Sequence, residues 1–345
     1  MRRTVRTVVD VHTHFIPHEF VDLVAAGDGP TGVSVERRAG REPLVLHDNG
    51  LCYPVFDVFA DPAAKLRDMD ARGVDVSIVS ISPSLFFYWL EPRETARVCR
   101  ALNDAGARMA AASDGRIRAM ATVPMNDPEE AAAELRRTHA ELGLAGVEIG
   151  TSVGARQLDS PALDIFFATA AELGSPVMLH PYVSMITAPE PGQEGFHLAN
   201  VIGNPLETYV GACRLIAGGV FDRHPALRVL LVHGGGAFPY QAGRLQHAYG
   251  VRRETRSVAR QAPLAYLGNL LFDTVAYDEP ALRFLLEFAG ADRVLFGSDL
   301  PFDMADLAPL AWAETASPDV ARRVLGANAL REFGIDATRP AAVTS

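Results

Sequence analysis

His12 and His14 stand two residues apart at the end of an apolar run, "TVVDVHTH" (7–14). Imidazoles are common metal ligands and the side chains whose ordinary titration lies nearest neutral pH. Alternate residues of a strand share a face, so both rings project the same way. His180 ends "SPVMLH" (175–180), His233 lies at the end of "LRVLLVHG" (227–234), and Asp299 ends "DRVLFGSD" (292–299). Three imidazoles and a carboxylate at one rim make a donor set for a divalent transition metal, with a position left for water or substrate. A further histidine beside that metal would supply general acid or base chemistry. Each residue taken alone also has a structural explanation. A His-x-His pair can pack or face solvent, His180 before Pro181 can end a strand, His233 can be a satisfied core histidine, and Asp299 can cap a helix. Recurrence at the ends of four different runs favours one common site. His18, His47, His139, His224 and His247 fall in predicted helices or loops and read as structural, while the role of His197 stays open.

Such residues converge only if the elements bearing them close into one layer. Eight apolar runs alternate with helical patterns: the four above and "VDVSIVSI" (74–81), "RIRAMATV" (116–123), "AGVEIG" (145–150) and "NLLFDT" (269–274). Helix grammar is explicit between them. Asp61-Pro62 opens a segment that stops at Gly73, and Asp127…Gly143 and Ser160…Gly174 repeat the pattern. The expected fold is therefore α/β, a (β/α)8 TIM barrel, whose site lies at the C-terminal ends of the strands. A doubly wound open sheet would be expected to show a glycine-rich phosphate turn early in the chain; "HGGGAF" (233–238) lacks that spacing. Residues 1–336 read as a single domain, with 337–345 a C-terminal tail. Within it, residues 17–61 form a small β insertion after strand 1, with Asn49-Gly50 as its hairpin turn. Residues 181–203 form a loop after strand 5; both segments are candidate lids over the site.

Composition narrows the chemistry. The chain has 345 residues, 48% hydrophobic, and a net charge of −10, which argues against nucleic acid or an anionic membrane as partner. No run approaches the length of a membrane span, and the N-terminal apolar run is too interrupted for a signal peptide. Cys52, Cys99 and Cys213 are scattered without CxxC spacing, so a cytoplasmic protein is expected. No G-x-S-x-G elbow is present. Schiff-base chemistry would fall to the one lysine, Lys65, which reads as part of a surface helix.

His-x-His on strand 1, histidines on strands 5 and 6 and aspartate on strand 8 resemble the pattern of the amidohydrolase superfamily. The segments "DVHTHFIP", "DMDARGVDVSIVS", "GVEIGT", "GGVFDRHPALRVLLVHGGGAFPYQAGR" and "FGSDLPF" are similar to the aminocarboxymuconate-semialdehyde decarboxylase family over nearly the whole chain. That resemblance implies His12, His14, His180 and Asp299 as ligands of one divalent metal ion, zinc expected and manganese the alternative. It implies His233 as catalytic acid/base, Arg244 reaching a neighbouring subunit's site to hold a substrate carboxylate, and Phe302 lining the pocket. A composite site of that kind implies a homodimer or a higher homo-oligomer. Two departures bear on the substrate: Tyr53-Pro54 stands where the family has a carboxylate-binding arginine, and His180-Pro181-Tyr182 where it has His-Pro-Trp. Two-metal members often carry a carbamylated lysine on strand 4, whereas "AGVEIG" offers none.

The expected activity is metal-dependent, non-oxidative decarboxylation of a small aromatic or unsaturated carboxylic acid, with His233 or Asp299 delivering the proton. The alternative is a hydrolase acting on a lactone, an amide or a C–C bond through the same site. A third reading, a barrel that binds a small acid or a metal without turnover, fits an intact set of catalytic groups least well.

Overall fold

The structure, a computed structural model, describes residues 7–182, 195–306, 308 and 310–336. The expected tail (337–345) and residues 183–194 of the loop after strand 5 lie outside the described residues. All eight apolar runs contain strands: β1 (Val9–Phe15), β2 (Val76–Ile81), β3 (Ile117–Ala119, resuming as Ala121–Thr122), β4 (Val147–Gly150), β5 (Val177–His180), β6 (Val229–Leu231), β7 (Leu270–Asp273) and β8 (Val294–Leu295). Each pairs in parallel with the next. The break in β3 is bridged by Met120, whose N–H donates to the Val79 carbonyl at 2.8 Å while Ala121 N–H donates to Gly146 at 2.8 Å. Between β8 and β1, Val11 N–H donates to Phe296 O (2.9 Å) and Asp299 N–H to His12 O (2.7 Å), which completes the ring of the (β/α)8 barrel.

Helices lie between the strands, as a parallel sheet requires. Asp61 caps the helix Pro62–Arg72, its carboxylate accepting from Ala63 N–H at 3.0 Å, and Gly73 ends it at φ 73°. Asp127 likewise caps Pro128–Ala140 by accepting from Glu130 N–H at 3.3 Å. Ser160 differs: its hydroxyl caps nothing, so Pro161–Leu163 forms a 3-10 turn and the α-helix begins at Asp164. The insertion is a three-stranded antiparallel sheet (Val33–Glu36, Leu44–His47, Cys52–Pro54), preceded by the helix His18–Ala25. Its hairpin turns at Asn49-Gly50, where the Asn49 carboxamide accepts from Leu51 N–H (3.0 Å) and Gly50 adopts φ 88°, open to glycine at little cost.

Two apolar layers set the depth of the site. An inner cluster of Val9, Val11, Ile78, Met120, Met178, Leu230, Leu271 and Leu295 forms its own buried core. Met178, Leu230 and Leu271 are aligned in register across β5, β6 and β7. Two residues beyond Met178 and Leu271, on the same face of their strands, come His180 and Asp273. The polar groups therefore sit on an apolar floor that keeps water out from below. No helix among the described residues is long and apolar enough to cross a membrane.

Candidate metal centre

The strand ends bring His12, His14, His180, His233 and Asp299 together. His12 Nε2 lies 3.1 Å from His14 Nε2, and Asp299 Oδ1 lies 3.1 Å from His14 Nε2 and 3.4 Å from His12 Nε2. His233 Nε2 approaches the other oxygen, Asp299 Oδ2, at 3.4 Å. The His180 ring centroid is 5.1 Å from those of His14 and His233 and 5.3 Å from that of His12. His12, His180, His233 and Asp299 each present a ligand atom within 4.8 Å of the other three. Of the expected ligands, His14 joins this group through its contacts with His12 and Asp299.

Local backbone makes the convergence possible. The β1–β2 register slips between Asp10 and Thr13, so the inward face of β1 passes from Val11 to the imidazoles. His233 and Asp299 have φ 57° and 65°, a left-handed conformation costly to side chains with a Cβ and of order 1–3 kcal/mol each. Periodicity alone gives no sign of either feature.

Hydrogen bonding fixes which nitrogen of each ring is free. His12 Nδ1 donates to Asp273 Oδ2 at 2.7 Å, His14 Nδ1 to the Ile81 carbonyl at 3.0 Å, and His180 Nδ1 to the Pro181 carbonyl at 2.6 Å. All three acceptors lack a proton to give, so each ring turns its Nε2 lone pair toward the others and toward Asp299. His180 Nε2, though buried, has no hydrogen-bond partner. Lone pairs and a carboxylate facing one another need a proton or a cation between them, and imidazole nitrogens held this way suit a divalent metal. The donor set fits.

Electrostatics carry the same demand. Burial would raise the Asp299 pKa, but His12, His14 and His233 hold it well below the ordinary carboxylate range. Burial would lower the pKa of His12, yet Asp299 and Asp273 outweigh it and raise it to about 9. His14 and His180 are lowered instead, chiefly by burial, His180 well below its ordinary value. The centre draws positive charge to the edge of His12 that faces Asp299.

Two contributors escaped the sequence reading. Asp273, ending β7, accepts from His12 Nδ1 and from the backbone N–H groups of His233 (3.0 Å) and Gly234 (2.7 Å), orienting both histidines. Its signal was present as a carboxylate at another strand end. Glu148 on β4 is fully buried, neither oxygen hydrogen-bonded, and burial pushes its carboxyl well above the ordinary range. It offers a ligand atom within 4.8 Å of His14 and His180. A charge in the apolar run "AGVEIG" was its signal.

Lys65 requires a correction. It is buried, not on a surface: its Nζ reaches the His14 carbonyl at 3.5 Å, and burial lowers its pKa to about 8. The helix that carries it turns this residue toward β1. The Phe302 ring lies 4.9 Å from that of His14 and 5.4 Å from that of Phe59, which ties the end of the insertion to the centre. Arg244 is exposed on the helix Phe238–Val251 and is not among the residues gathered at the centre. Tyr53 hydrogen-bonds His47 Nε2 at 3.0 Å within the insertion. Tyr182 packs against Gly150, where a Cβ would meet its ring at 2.6 Å, and accepts from Gly154 N–H at 3.1 Å. A cavity of about 720 Å3 opens beside the centre, with His233 and Asp299 in its wall.

Comparison with known proteins places this arrangement among catalysts. The amidohydrolase family model matches residues 9–335. A 2-amino-3-carboxymuconate-6-semialdehyde decarboxylase of Dictyostelium discoideum is 31% identical over 332 residues, 95% of this chain and 92% of the relative. The crystal structure of Metarhizium anisopliae IDCase superposes with a TM-score of 0.83 at 25% identity, covering 97% of this chain and 98% of that one. A dihydroxybenzoic acid decarboxylase from Polaromonas sp. JS666, with bound manganese and the inhibitor 2-nitroresorcinol, gives a TM-score of 0.74 at 24% identity over 96% and 97% of the two chains.

Proposed function

This chain belongs to the amidohydrolase family, and we propose that it works there as a metal-dependent, non-oxidative decarboxylase of a small aromatic or unsaturated carboxylic acid. The observation that carries this reading is the meeting of three imidazole Nε2 atoms with Asp299, His233 standing on the cavity side of the same carboxylate. His12, His14, His180 and Asp299 would hold the ion. A bound divalent cation supplies Lewis acidity toward an anionic substrate oxygen and fixes its orientation. Zinc is proposed on the nitrogen-rich donor set, with manganese the alternative.

His233 is the proposed acid. It is half-buried, faces the cavity and has an unpartnered Nδ1, whereas Asp299 is held ionised by its imidazoles and is a poor proton source. His233 protonates the carbon that bears the carboxylate. The bond to the carboxyl carbon then breaks, its electron pair restores conjugation in the product, and CO2 leaves. A proton from solvent returns the imidazole to its starting state. Asp273 keeps His12 and the His233 backbone in place throughout. Phe302 walls the His14 side.

Arg244, exposed on its helix, is proposed to meet the substrate carboxylate in a neighbouring copy, which makes the working unit a homodimer or larger. Three free cysteines support the placement in the cytoplasm. Hydrolysis at the same site is not favoured, since the Dictyostelium discoideum relative and the Polaromonas structure reported above are decarboxylases by name. Release of CO2 from hydroxybenzoates and muconate semialdehydes is the test. Cleavage of a lactone or amide with no CO2 from any acid would replace this reading with the hydrolase.

A further inference from the structure

The cavity beside His233 and Asp299 is larger and more apolar than a bare hydroxybenzoate requires. At the roughly 30 Å3 share of a liquid water per heavy atom, a dihydroxybenzoate of about eleven heavy atoms fills less than half of its 720 Å3. Beyond the catalytic pair its wall is formed by Pro239, Val275, Phe284, Leu285 and Met304. Tyr277, at φ 57°, donates its hydroxyl to the Met304 carbonyl at 2.6 Å, so its phenol oxygen is committed to the wall.

Charge narrows what fits. Among the described lining residues there is no lysine or arginine, and the acidic ones are Asp299, already engaged by imidazoles, and Asp278. Besides Tyr277, the neutral polar groups are the carboxamides of Asn200 and Asn204 and the hydroxyl of Tyr240. A second carboxylate on the substrate would enter this space with no cationic partner among these lining residues and beside Asp278, whereas an alkyl or aryl group would meet matching surface.

We infer that the substrate carries one carboxylate, the one it loses, together with an apolar substituent at another position of the reacting ring that runs past His233 into this cavity. The inference rests on the decarboxylase reading and deepens it: a monocarboxylic, alkyl- or aryl-substituted hydroxybenzoate fits, and a muconate-type diacid does not. Arg244 from a neighbouring copy would meet the same single carboxylate. A buried methylene contributes about fourfold in binding, so a propyl group fully accommodated gains well over tenfold.

The experiment uses hydroxybenzoates bearing hydrogen, methyl, propyl or carboxylate at each free ring position, with CO2 release measured on the full-length protein. At one position the propyl member is expected to exceed the unsubstituted acid at least tenfold in kcat/KM, and the diacid to fall below it. Ala281 lies exposed in the cavity wall on the helix Glu279–Ala289, and Ala281→Trp should bring the propyl-to-hydrogen ratio down toward one. Matched nitrophenols, which cannot lose CO2, are titrated by calorimetry in parallel. A propyl preference in their Kd without CO2 release from any acid would overturn the decarboxylase reading and keep the cavity assignment. CO2 release with no apolar preference at any position, or with the diacids preferred, would overturn the inference and leave the decarboxylase standing.

Discussion

The two sides of the centre are built differently. On the side of β1, β6, β7 and β8, most polar atoms are tied down: His12 to Asp273, His14 and His233 to Asp299, and Asp273 to the backbone of His233 and Gly234, with His233 Nδ1 left unpartnered. Support continues behind β1, where Asp10 accepts from the Ser298 hydroxyl (2.5 Å), Ser298 N–H (3.2 Å) and His12 N–H (3.2 Å). On the side of β4 and β5, His180 Nε2 and both Glu148 oxygens meet no hydrogen-bond donor or acceptor. The Ser80 hydroxyl nearby is turned to His14 Nδ1 (3.3 Å) and to the Met178 sulfur (3.8 Å). The left-handed residues His233 and Asp299 both belong to the tied side. Strain and hydrogen bonds go together there because the network over-determines the backbone. The open side has ordinary strand geometry and spare lone pairs, the condition of a site that a cation completes.

Asp299→Asn attacks the tied side at its hub and carries the largest expected effect. Three imidazoles lose their common anion, so metal affinity should fall by more than the roughly 10–100-fold that loss of an outer partner produces. Chelator competition reads the affinity, and CO2 release should disappear with it. Retained metal at wild-type affinity would remove Asp299 from the ligand set. Asp273→Asn acts one step out and should lower metal affinity by about 10–100-fold, since His12 and the His233 backbone lose a charged acceptor. An effect under threefold would show that the tied side does not depend on this carboxylate.

Glu148→Gln tests the open side. Little is hydrogen-bonded there to lose, so metal affinity should change by less than about threefold, against the 10–100-fold expected for Asp273. Stability of the metal-free protein should respond more. Glu148 has a folded pKa raised by burial above its ordinary value of 4.5. Below that value both folded and unfolded states are protonated; as pH rises, the unfolded chain ionises first, and wild-type stability declines toward the folded pKa. The amide lacks this decline, so the melting-temperature advantage of Glu148→Gln should grow from pH 4.5 upward. A loss of metal equal to that of Asp273→Asn would instead make Glu148 a ligand and close the open side.

The same contrast explains what could be read from the chain. Strand ends bearing His12, His14, His180, His233 and Asp299 were legible because each interrupts an apolar run with a residue that a strand has no packing use for. Asp273 does the same in "NLLFDT", but Asp-Thr after a strand also reads as an ordinary turn, and its role appears only when β6 and β7 lie side by side. Glu148 gives a weaker signal, a single charge inside the apolar run "AGVEIG" that does not stand at the strand's end. The slip in β1 and the left-handed backbone at His233 and Asp299 arise from closing the ring, a tertiary constraint that local spacing does not encode. Lys65 misled because "DPAAKLRDMDAR" is rich in charge on every face, and a lysine there looks solvated. The barrel was legible from alternation alone, since parallel strands need the helices written between them.

Lys65→Met gives the smallest effect and probes the tied side from behind. Lys65 touches the centre only through the His14 carbonyl, so methionine of similar length should leave metal affinity within about threefold of wild type. The variant shows in the pH dependence of folding. The folded pKa is lowered to about 8 from 10.5, chiefly by burial, which outweighs the attraction of Asp10 and Asp68. Below pH 8 both states carry the proton and the cost of the buried cation is present in full. Between about 8 and 10.5 the folded state sheds the proton while the unfolded chain keeps it, so wild-type stability rises with pH relative to the variant, by about 3 kcal/mol at most. Asp10, raised by burial to about 6, loses a compensating cation in the variant, so its own folded pKa climbs further. That makes the variant lose stability as pH rises and widens the gap in the same direction. Urea denaturation at pH 7, 8.5 and 10 measures it. A wild-type-minus-variant difference that stays flat across that window would mean that the Lys65 ammonium is solvated in the folded protein, and that the support behind β1 stops at Asp10 and Ser298.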